Sequence, residues 1–336
     1  MQFTNKNSKS TFLMRIIGIA GICTPTAHLE NKDIPSFLPT AEQNKIPLLF
    51  LKTVACNTKN RNIQRILSRY EKKRKNTLEL IASTGNLLEK IGAPYTFFKT
   101  LKPFPYTPSD VDVLLWSDNS LKTVAKALKN QGCISLEKNA YGVTMFSQKY
   151  NMNIDLTTQI AASGLVYLNK ELLFDHMSKL EAYETPVQTF EPSADLLIVA
   201  AHSIFKEQMY TLSDYYTFTM LPQHWKEAIK LAEKFHIKHA LDTVLKMTMA
   251  TTLIAFGPTN PLMKKFEEAG VANTTELLNE NFELPKKYDL TTLAIAFLKK
   301  VRDDPVSMKS LSHMARSASN ISFYRKIIEH AARKTY

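Results

Sequence analysis

The sequence predicts an α+β fold: a small mixed β-sheet with a helix on one face, followed by a large helical region. Three observations predict it. Between about residues 95 and 158 the apolar residues mostly alternate with polar ones, the period of strands. One helical interval, from Ser120 to Gln131, interrupts that alternation. From Leu172 onward the apolar spacing becomes helical. The boundaries divide the chain into an N-terminal helical and irregular extension (1–60), a sheet core (61–165) and a helical domain (166–336).

In the extension, Phe12, Leu13, Ile16, Ile17 and Ala20 fall at helical spacing and predict a packed amphipathic helix. Lys6, Lys9 and Arg15 before the apolar run Ile16–Ile22 loosely imitate a signal peptide, but Arg15 interrupts the apolar stretch and no small-x-small cleavage site follows. Residues 24–47 carry Pro25, Pro35, Pro39 and Pro47 and read as an irregular connector. A long helix is predicted from Asn62 to Lys90, closed by Gly92 and Pro94. Tyr95–Thr100 and Asp110–Trp116 read as strands around a loop with three prolines. Ser120 caps the single helix of the core, and Gly132 ends it. Cys133–Glu137 is a third strand, and Tyr141–Ser147 with Met152–Thr158 form a hairpin. Further helices are expected at Ala194–Met209, Leu212–Leu221, Trp225–Phe235, Lys238–Ile254 and Leu262–Ala269. One more follows Asp289, and a basic pair lies near Met308–Ala318 and Ile321–Arg333.

Composition narrows the function classes. Nine glycines in 336 residues argue against a Gly-rich dinucleotide fold. Cys23, Cys56 and Cys133 are far apart, form no zinc pattern, and read as small buried apolar residues in a reducing cytoplasm. No uninterrupted apolar stretch reaches the roughly 18 residues of a membrane span, so no membrane partner is expected. The net charge of +12 is uneven. Residues 45–90 carry +8 and residues 285–336 carry +7, whereas 91–284 carry −4. Basic flanks of this kind suit a polyanion such as RNA; Lys-rich helices that merely keep a protein soluble are the alternative.

The chemistry concentrates in Ser109-Asp110-Val111-Asp112-Val113-Leu114-Leu115, the one place where two acidic residues are separated by a single residue. On a strand, Asp110 and Asp112 share a face and repel each other, a repulsion that a divalent cation resolves. An acidic exposed strand edge is the plainer reading of this run alone. In Asn153-Ile154-Asp155-Leu156, alternation puts Asp155 among strand formers, where an unpaired carboxylate is costly, so it needs a partner. A third carboxylate across the sheet makes a two-metal site feasible, with ions about 4 Å apart.

With these residues in view, the segment resembles the polymerase-β-type nucleotidyltransferase superfamily. Its signature is a strand ending hydrophobic-Gly-Gly/Ser, a spacer, Asp-hydrophobic-Asp/Glu-hydrophobic, and a later carboxylate. Here Phe98-Lys99-Thr100 is followed by nine residues and then Asp110-Val111-Asp112-Val113, with Asp155 downstream. The runs Phe190–Leu197, Ala200-Ala201-His202, His224–Ala228 and Ala232–Phe235 are similar to a family of uncharacterised prokaryotic nucleotidyltransferases, itself distantly similar to the toxins of type IV toxin–antitoxin systems. The resemblance implies Mg2+-dependent transfer of a nucleoside monophosphate from an NTP to an acceptor hydroxyl, with release of pyrophosphate. It implies Asp110, Asp112 and Asp155 as catalytic and metal-binding residues, with Mn2+ as an alternative to two Mg2+ ions, and Asp155 as base. It implies Lys99 and Thr100 as triphosphate contacts; Ser109, most simply a turn residue before the strand that orients Asp110, and Lys206, one turn after His202, are further nucleotide-binding candidates read from their positions. The partners it implies are an NTP such as ATP, an RNA or tRNA acceptor, and an antitoxin protein.

The sequence departs from the family at the phosphate-binding glycine, replaced by Lys99-Thr100. Thr100 offers a hydroxyl and Lys99 a charge in its place. That departure keeps a second expectation open: a fold that has lost turnover and binds nucleotide or RNA. Lys102, Lys122 and Lys126 read as solvated charges before phosphate ligands, and His202 as a satisfied core histidine.

Overall fold

The computed structural model describes residues 8–19, 29–30, 33–56, 60–180, 185–272 and 282–318. Cys23 and the predicted helix at Ile321–Arg333 lie outside the described residues. The fold is α+β.

Three short helices open the chain: α1 (Lys9–Ile17), α2 (Ile34–Gln43) and α3 (Pro47–Ala55). Among its described residues, the connector expected over 24–47 thus contains a ten-residue helix. Pro35 and Pro47 fall in the first turns of α2 and α3, where a missing N–H costs no helical bond. The 31-residue α4 (Arg61–Ile91) follows, ending at Gly92 in the left-handed conformation, φ +70°.

The core sheet comprises β1 (Tyr95–Phe97), β2 (Asp110–Leu115), then α5 (Asp118–Asn130), β3 (Cys133–Lys138), β4 (Gly142–Ser147) and β5 (Met152–Thr157). Its order is β1-β2-β5-β4-β3; the β2–β5 pair alone is parallel. The helix α5 is capped by Ser117, whose hydroxyl accepts the Ser120 N–H at 3.0 Å, rather than by Ser120 itself. At Gly142 the Leu156 carbonyl of β5 lies so close that any Cβ would collide with it, which holds the hairpin in register.

Beyond the sheet lie β6 (Ile160–Ala162), β7 (Leu165–Leu168), the single turn α6 (Lys170–Leu173), β8 (Met177–Leu180) and β9 (Val187–Phe190). The β8–β9 hairpin corrects the expectation of helix from Leu172 onward. Its four-residue strands show no alternation of buried and open residues, so nothing local sets them apart from the helical runs around them. It finds its support in tertiary structure: Thr96 Oγ1 donates to Met177 Sδ at 2.9 Å, and the Tyr95 hydroxyl meets the Gln188 backbone.

The helical region then runs α7 (Pro192–His202), β10 (Met209–Tyr210), α8 (Leu212–Thr219), α9 (Trp225–Lys234), α10 (Lys238–Phe256), α11 (Leu262–Glu268), β11 (Lys286–Lys287), α12 (Leu290–Asp303) and α13 (Pro305–Ala318). The helix expected to reach Met209 instead leaves α geometry at His202. It passes through a π-helical turn, Ser203–Glu207, and stops at Gln208 with φ +55°. No helix among the described residues is long and apolar enough to cross a membrane.

Two apolar clusters hold these layers. One lies on a single face of the sheet, where Val111, Val113, Leu115, Ile154 and Leu156 meet Leu80, Ile81 and Leu88 of α4 and Val124 and Leu128 of α5. Each such side chain contributes about 1.5–3 kcal/mol on burial. The other cluster joins α1–α3 to α7–α11 and reaches the sheet's opposite face at Phe98 and Leu114. The N-terminal helices are thus built into the helical core. Arg15 Nε donates to the Ala255 carbonyl at 2.9 Å, and buried Asn44 donates to Leu284 O at 2.8 Å while accepting from Leu212 N–H at 3.1 Å. Cys56 is exposed and Cys133 half-buried, so neither is the buried apolar residue expected. Both sit near element ends: Cys56 caps α3, and Cys133 begins the edge strand β3.

Candidate active site

Strand alternation and register assemble the acidic face. Val111 and Val113 turn into the apolar cluster, so Asp110 and Asp112 turn away from it. On the neighbouring parallel strand Asp155 stands opposite Asp112, and Asn153 opposite Asp110. Ile154 and Leu156 are buried on the far side. The expected sharing of one sheet face by the three carboxylates is thus present. Asp112 is the deepest of them, 8% exposed; Asp110 and Asp155 are half-buried.

Each carboxylate is held by a hydroxyl or a cation. Ser109 Oγ donates to Asp110 Oδ1 at 3.0 Å, the orienting bond expected of it. Thr144 Oγ1, on β4 opposite Asp155, donates to Asp155 Oδ1 at 2.7 Å. Lys99 Nζ lies 3.1 Å from Asp112 Oδ1. The turn after β1 makes that last contact. Phe98 N–H still bonds to Asp112 O, and then Lys99 adopts φ +58°. Left-handed backbone is the conformation that glycine takes without cost, so Lys99 occupies a glycine-like position while adding an ammonium group. Thr100 is buried. Its Oγ1 accepts the Asp112 N–H at 3.0 Å and lies 3.1 Å from Phe98 O, so its hydroxyl anchors the loop to β2.

The opposite wall comes from the helical region. The π-helical turn carries Lys206, whose charge acts on both Lys99 and Asp112. His202 is bonded on both ring nitrogens, Nδ1 to the Tyr167 hydroxyl at 3.1 Å and Nε2 to Glu207 Oε1 at 3.0 Å. It is therefore a satisfied histidine as expected, though it is partly open and borders the site. On the loop after Thr100, Lys102 comes under the charges of Asp195 and Asp214, and Tyr106 under those of Asp110 and Asp112. By contrast, Lys122 and Lys126 are exposed on α5, which covers the apolar face, and they stand away from the carboxylates.

Burial governs the electrostatics. It pushes the Asp112 carboxyl above the usual carboxylate range, and the Lys99 ammonium only partly opposes it, with Asp110 pushing the same way as burial. Burial likewise pulls Lys99 below the ordinary lysine value despite Asp112. Both partners of the 3.1 Å pair are thus displaced toward neutrality. Burial, reinforced by Lys99, holds His202 well below its ordinary value, and burial raises the Tyr106 phenol. Lys102 is lowered, and Asp195 and Asp214 are raised, by the same cause.

The donor set is all oxygen and mutually repelling, the chemistry that suits a hard divalent cation. It is not assembled as a coordination sphere: among the described residues no group of three or more His, Cys, Asp and Glu is gathered closely enough to hold a metal ion. The ammonium of Lys99 supplies the compensating charge at Asp112 instead. Sequence reasoning missed Tyr106, Tyr167, Glu207, Asp195 and Asp214. Tyr106 sits in a proline-rich loop without periodicity, and the others reach the site only through tertiary packing.

No family model matches the chain, and no curated protein matches it. Among solved structures it is similar to the polymerase core of TRAMP, an RNA surveillance complex, at 13% identity and a TM-score of 0.21. That likeness covers 60% of this chain and 63% of the other, so the chain spans under two thirds of its neighbour's length; so low a score carries no argument about function.

Proposed function

We propose that the protein is a nucleotidyltransferase that moves a nucleoside monophosphate from an NTP to an acceptor hydroxyl. The observation that carries this reading is the register of β2 against β5, which sets Asp155 beside Asp112 on the face that also bears Asp110. The acceptor oxygen bonds to the α-phosphorus, the bond from that phosphorus to the bridging oxygen breaks, and pyrophosphate leaves. Asp155, oriented by Thr144, takes the hydroxyl proton. Lys99 and Lys206 face the negative charge of the triphosphate, and Thr100 fixes the loop that presents Lys99. Ser109 keeps Asp110 turned to the same face. Drawn closer together than they stand here, Asp110, Asp112 and Asp155 would hold Mg2+, which would neutralise phosphate and carboxylate charge together.

One observation favours a second reading. The Lys99–Asp112 pair neutralises the site from within, as a nucleotide-binding module without turnover would. Incubation with α-labelled NTPs, Mg2+ and total cellular RNA separates the two. The nucleotidyltransferase reading expects label in an acceptor with wild type and none with Asp112→Ala. Equal labelling by both proteins, or none by either, removes it.

A further inference from the structure

We propose that the i, i+4 row of α4 formed by Arg61, Arg65, Arg69 and Lys73 is a docking track for a single RNA strand, and that it leads the strand's end to the carboxylate face. The direction of the track, though not the binding itself, rests on the nucleotidyl-transfer reading.

Four-residue steps along a helix do not run straight. Each advances about 6 Å along the axis and about 40° around it, because four residues exceed one turn of 3.6. The row therefore winds from the solvent side of α4 toward its buried side. Arg61, Arg65, Arg69 and Lys73 are all exposed, and the next member, Thr77, is buried. Thr77 lines a depression together with Arg74, Thr100, Lys102, Tyr106 and Pro108. Thr100 is the residue that anchors the Lys99 loop to Asp112, and the charges of Asp110 and Asp112 both act on the Tyr106 hydroxyl. A cationic row about 18 Å long thus ends beside the candidate site.

The row is free to engage a polyanion. Among the described residues, none of the four makes an ion pair, whereas the acidic residues of the same stretch are engaged elsewhere, Glu71 with Lys52 and Glu79 with Lys75. The spacing of the cations is comparable to that of successive phosphates along an extended strand. No large exposed apolar residue lies on α4, so the row lacks what a membrane-surface helix would insert. At its end, Tyr106 lines the depression the row runs into, where its ring edge-packs against Phe104. Asn62 and Ser68 are exposed beside the row and can meet a 2′-hydroxyl, the group that marks RNA.

The test is fluorescence anisotropy of a labelled 20-nucleotide unstructured RNA across a KCl series. The full chain is compared with the quadruple variant Arg61→Gln, Arg65→Gln, Arg69→Gln, Lys73→Gln. A second quadruple variant, Lys226→Gln, Lys230→Gln, Lys234→Gln, Lys264→Gln, makes the same charge change on exposed lysines of α9 and α11, and circular dichroism checks that each is folded. Single strands give a slope of about 0.7 per phosphate engaged, so the α4 variant is expected to flatten the log–log salt slope by about 3 and to weaken binding at least 10-fold in about 0.1 M KCl. The α9–α11 variant keeps the wild-type slope. Equal losses in the two variants, or no loss in the α4 variant, would overturn the track. A DNA strand of the same sequence that competes as well as RNA would overturn the assignment to RNA. Binding needs no turnover: if Asp112→Ala binds RNA normally but wild type transfers no label, the transferase reading falls while the track stands.

Discussion

Two buried lysine–aspartate pairs in this molecule have opposite characters. Lys300 and Asp304 sit one turn apart at the end of α12, 2.6 Å apart. Lys300 Nζ also donates to the Phe235 carbonyl at 2.7 Å, and Asp304 accepts from the Ser307 hydroxyl and the Val306 N–H. Burial works against Asp304, yet these bonds outweigh it and hold the carboxyl below the usual carboxylate range. The Lys99 and Asp112 side chains are slightly more open than that pair, each 12% exposed, but burial wins there and Asp112 is held above that range. The difference lies in the surroundings. Asp304 is satisfied by Lys300 together with neutral donors, and no second carboxylate ranks among the main influences on it, whereas Asp112 faces two further carboxylates and a second lysine. A pair whose charges are satisfied is a structural device; a pair left unsatisfied by its neighbours is ready to exchange its partner for a ligand.

That contrast can be broken at its strongest point first. Asp112→Asn is expected to lower nucleotidyl transfer at least 10³-fold, measured as label transferred per minute, while shifting the urea-unfolding free energy by less than about 1 kcal/mol, because the lost carboxylate was held unfavourably and Asp110 still acts on the Lys99 ammonium. Asp304→Ala is expected to do the reverse, costing about 3–5 kcal/mol by urea unfolding by stranding the Lys300 ammonium, which is 1% exposed. Comparable stability losses in the two variants would erase the distinction.

The pH dependence sharpens the comparison from the site's outer wall. His202 is held neutral well below its ordinary value, chiefly by burial. The unfolded chain takes a proton at this histidine near pH 6.5, and the folded chain does not, so stability falls as pH drops below about 6.5. One such histidine costs about 2 kcal/mol between pH 6.5 and 5. His202→Gln, which retains hydrogen bonding toward Tyr167 and Glu207, is expected to remove about that much of the acid loss in urea titrations at the two pH values. An unchanged pH profile would mean that His202 takes a proton in the fold. Lys99, Lys206 and Glu207 bear on the group directly, so the profile reads the site's own charges.

The smallest expected effect is at the loop anchor. Thr100→Val removes the hydroxyl that accepts from the Asp112 N–H and should cost about 1 kcal/mol in thermal unfolding, together with weaker NTP binding as the Lys99 loop loosens. A variant with wild-type nucleotide affinity would show that the loop is held without Thr100.

How much of this was legible beforehand follows from the range of each interaction. The strands bearing Asp110, Asp112 and Asp155 announce themselves by alternation, a local signal, and the face the carboxylates share follows from it. That Asp112 and Asp155 stand in parallel register depends on the crossover through α5 and the β3–β4 strands, which the strand order only outlines. The prolines at 35 and 47 were misleading because first-turn prolines and loop prolines look alike in sequence. The π-helical turn that presents Lys206, and the β8–β9 hairpin beside β1, have no local signature; packing alone selects them. The positive φ of Lys99 was also hidden, since only the missing glycine pointed to it.

Calorimetric titration of ATP into wild type and Asp112→Asn, with Mg2+ and then with EDTA, tests the central claim most directly. The account predicts ATP binding by wild type that requires Mg2+ and is lost in the variant. Binding that is indifferent both to Mg2+ and to Asp112 would contradict it.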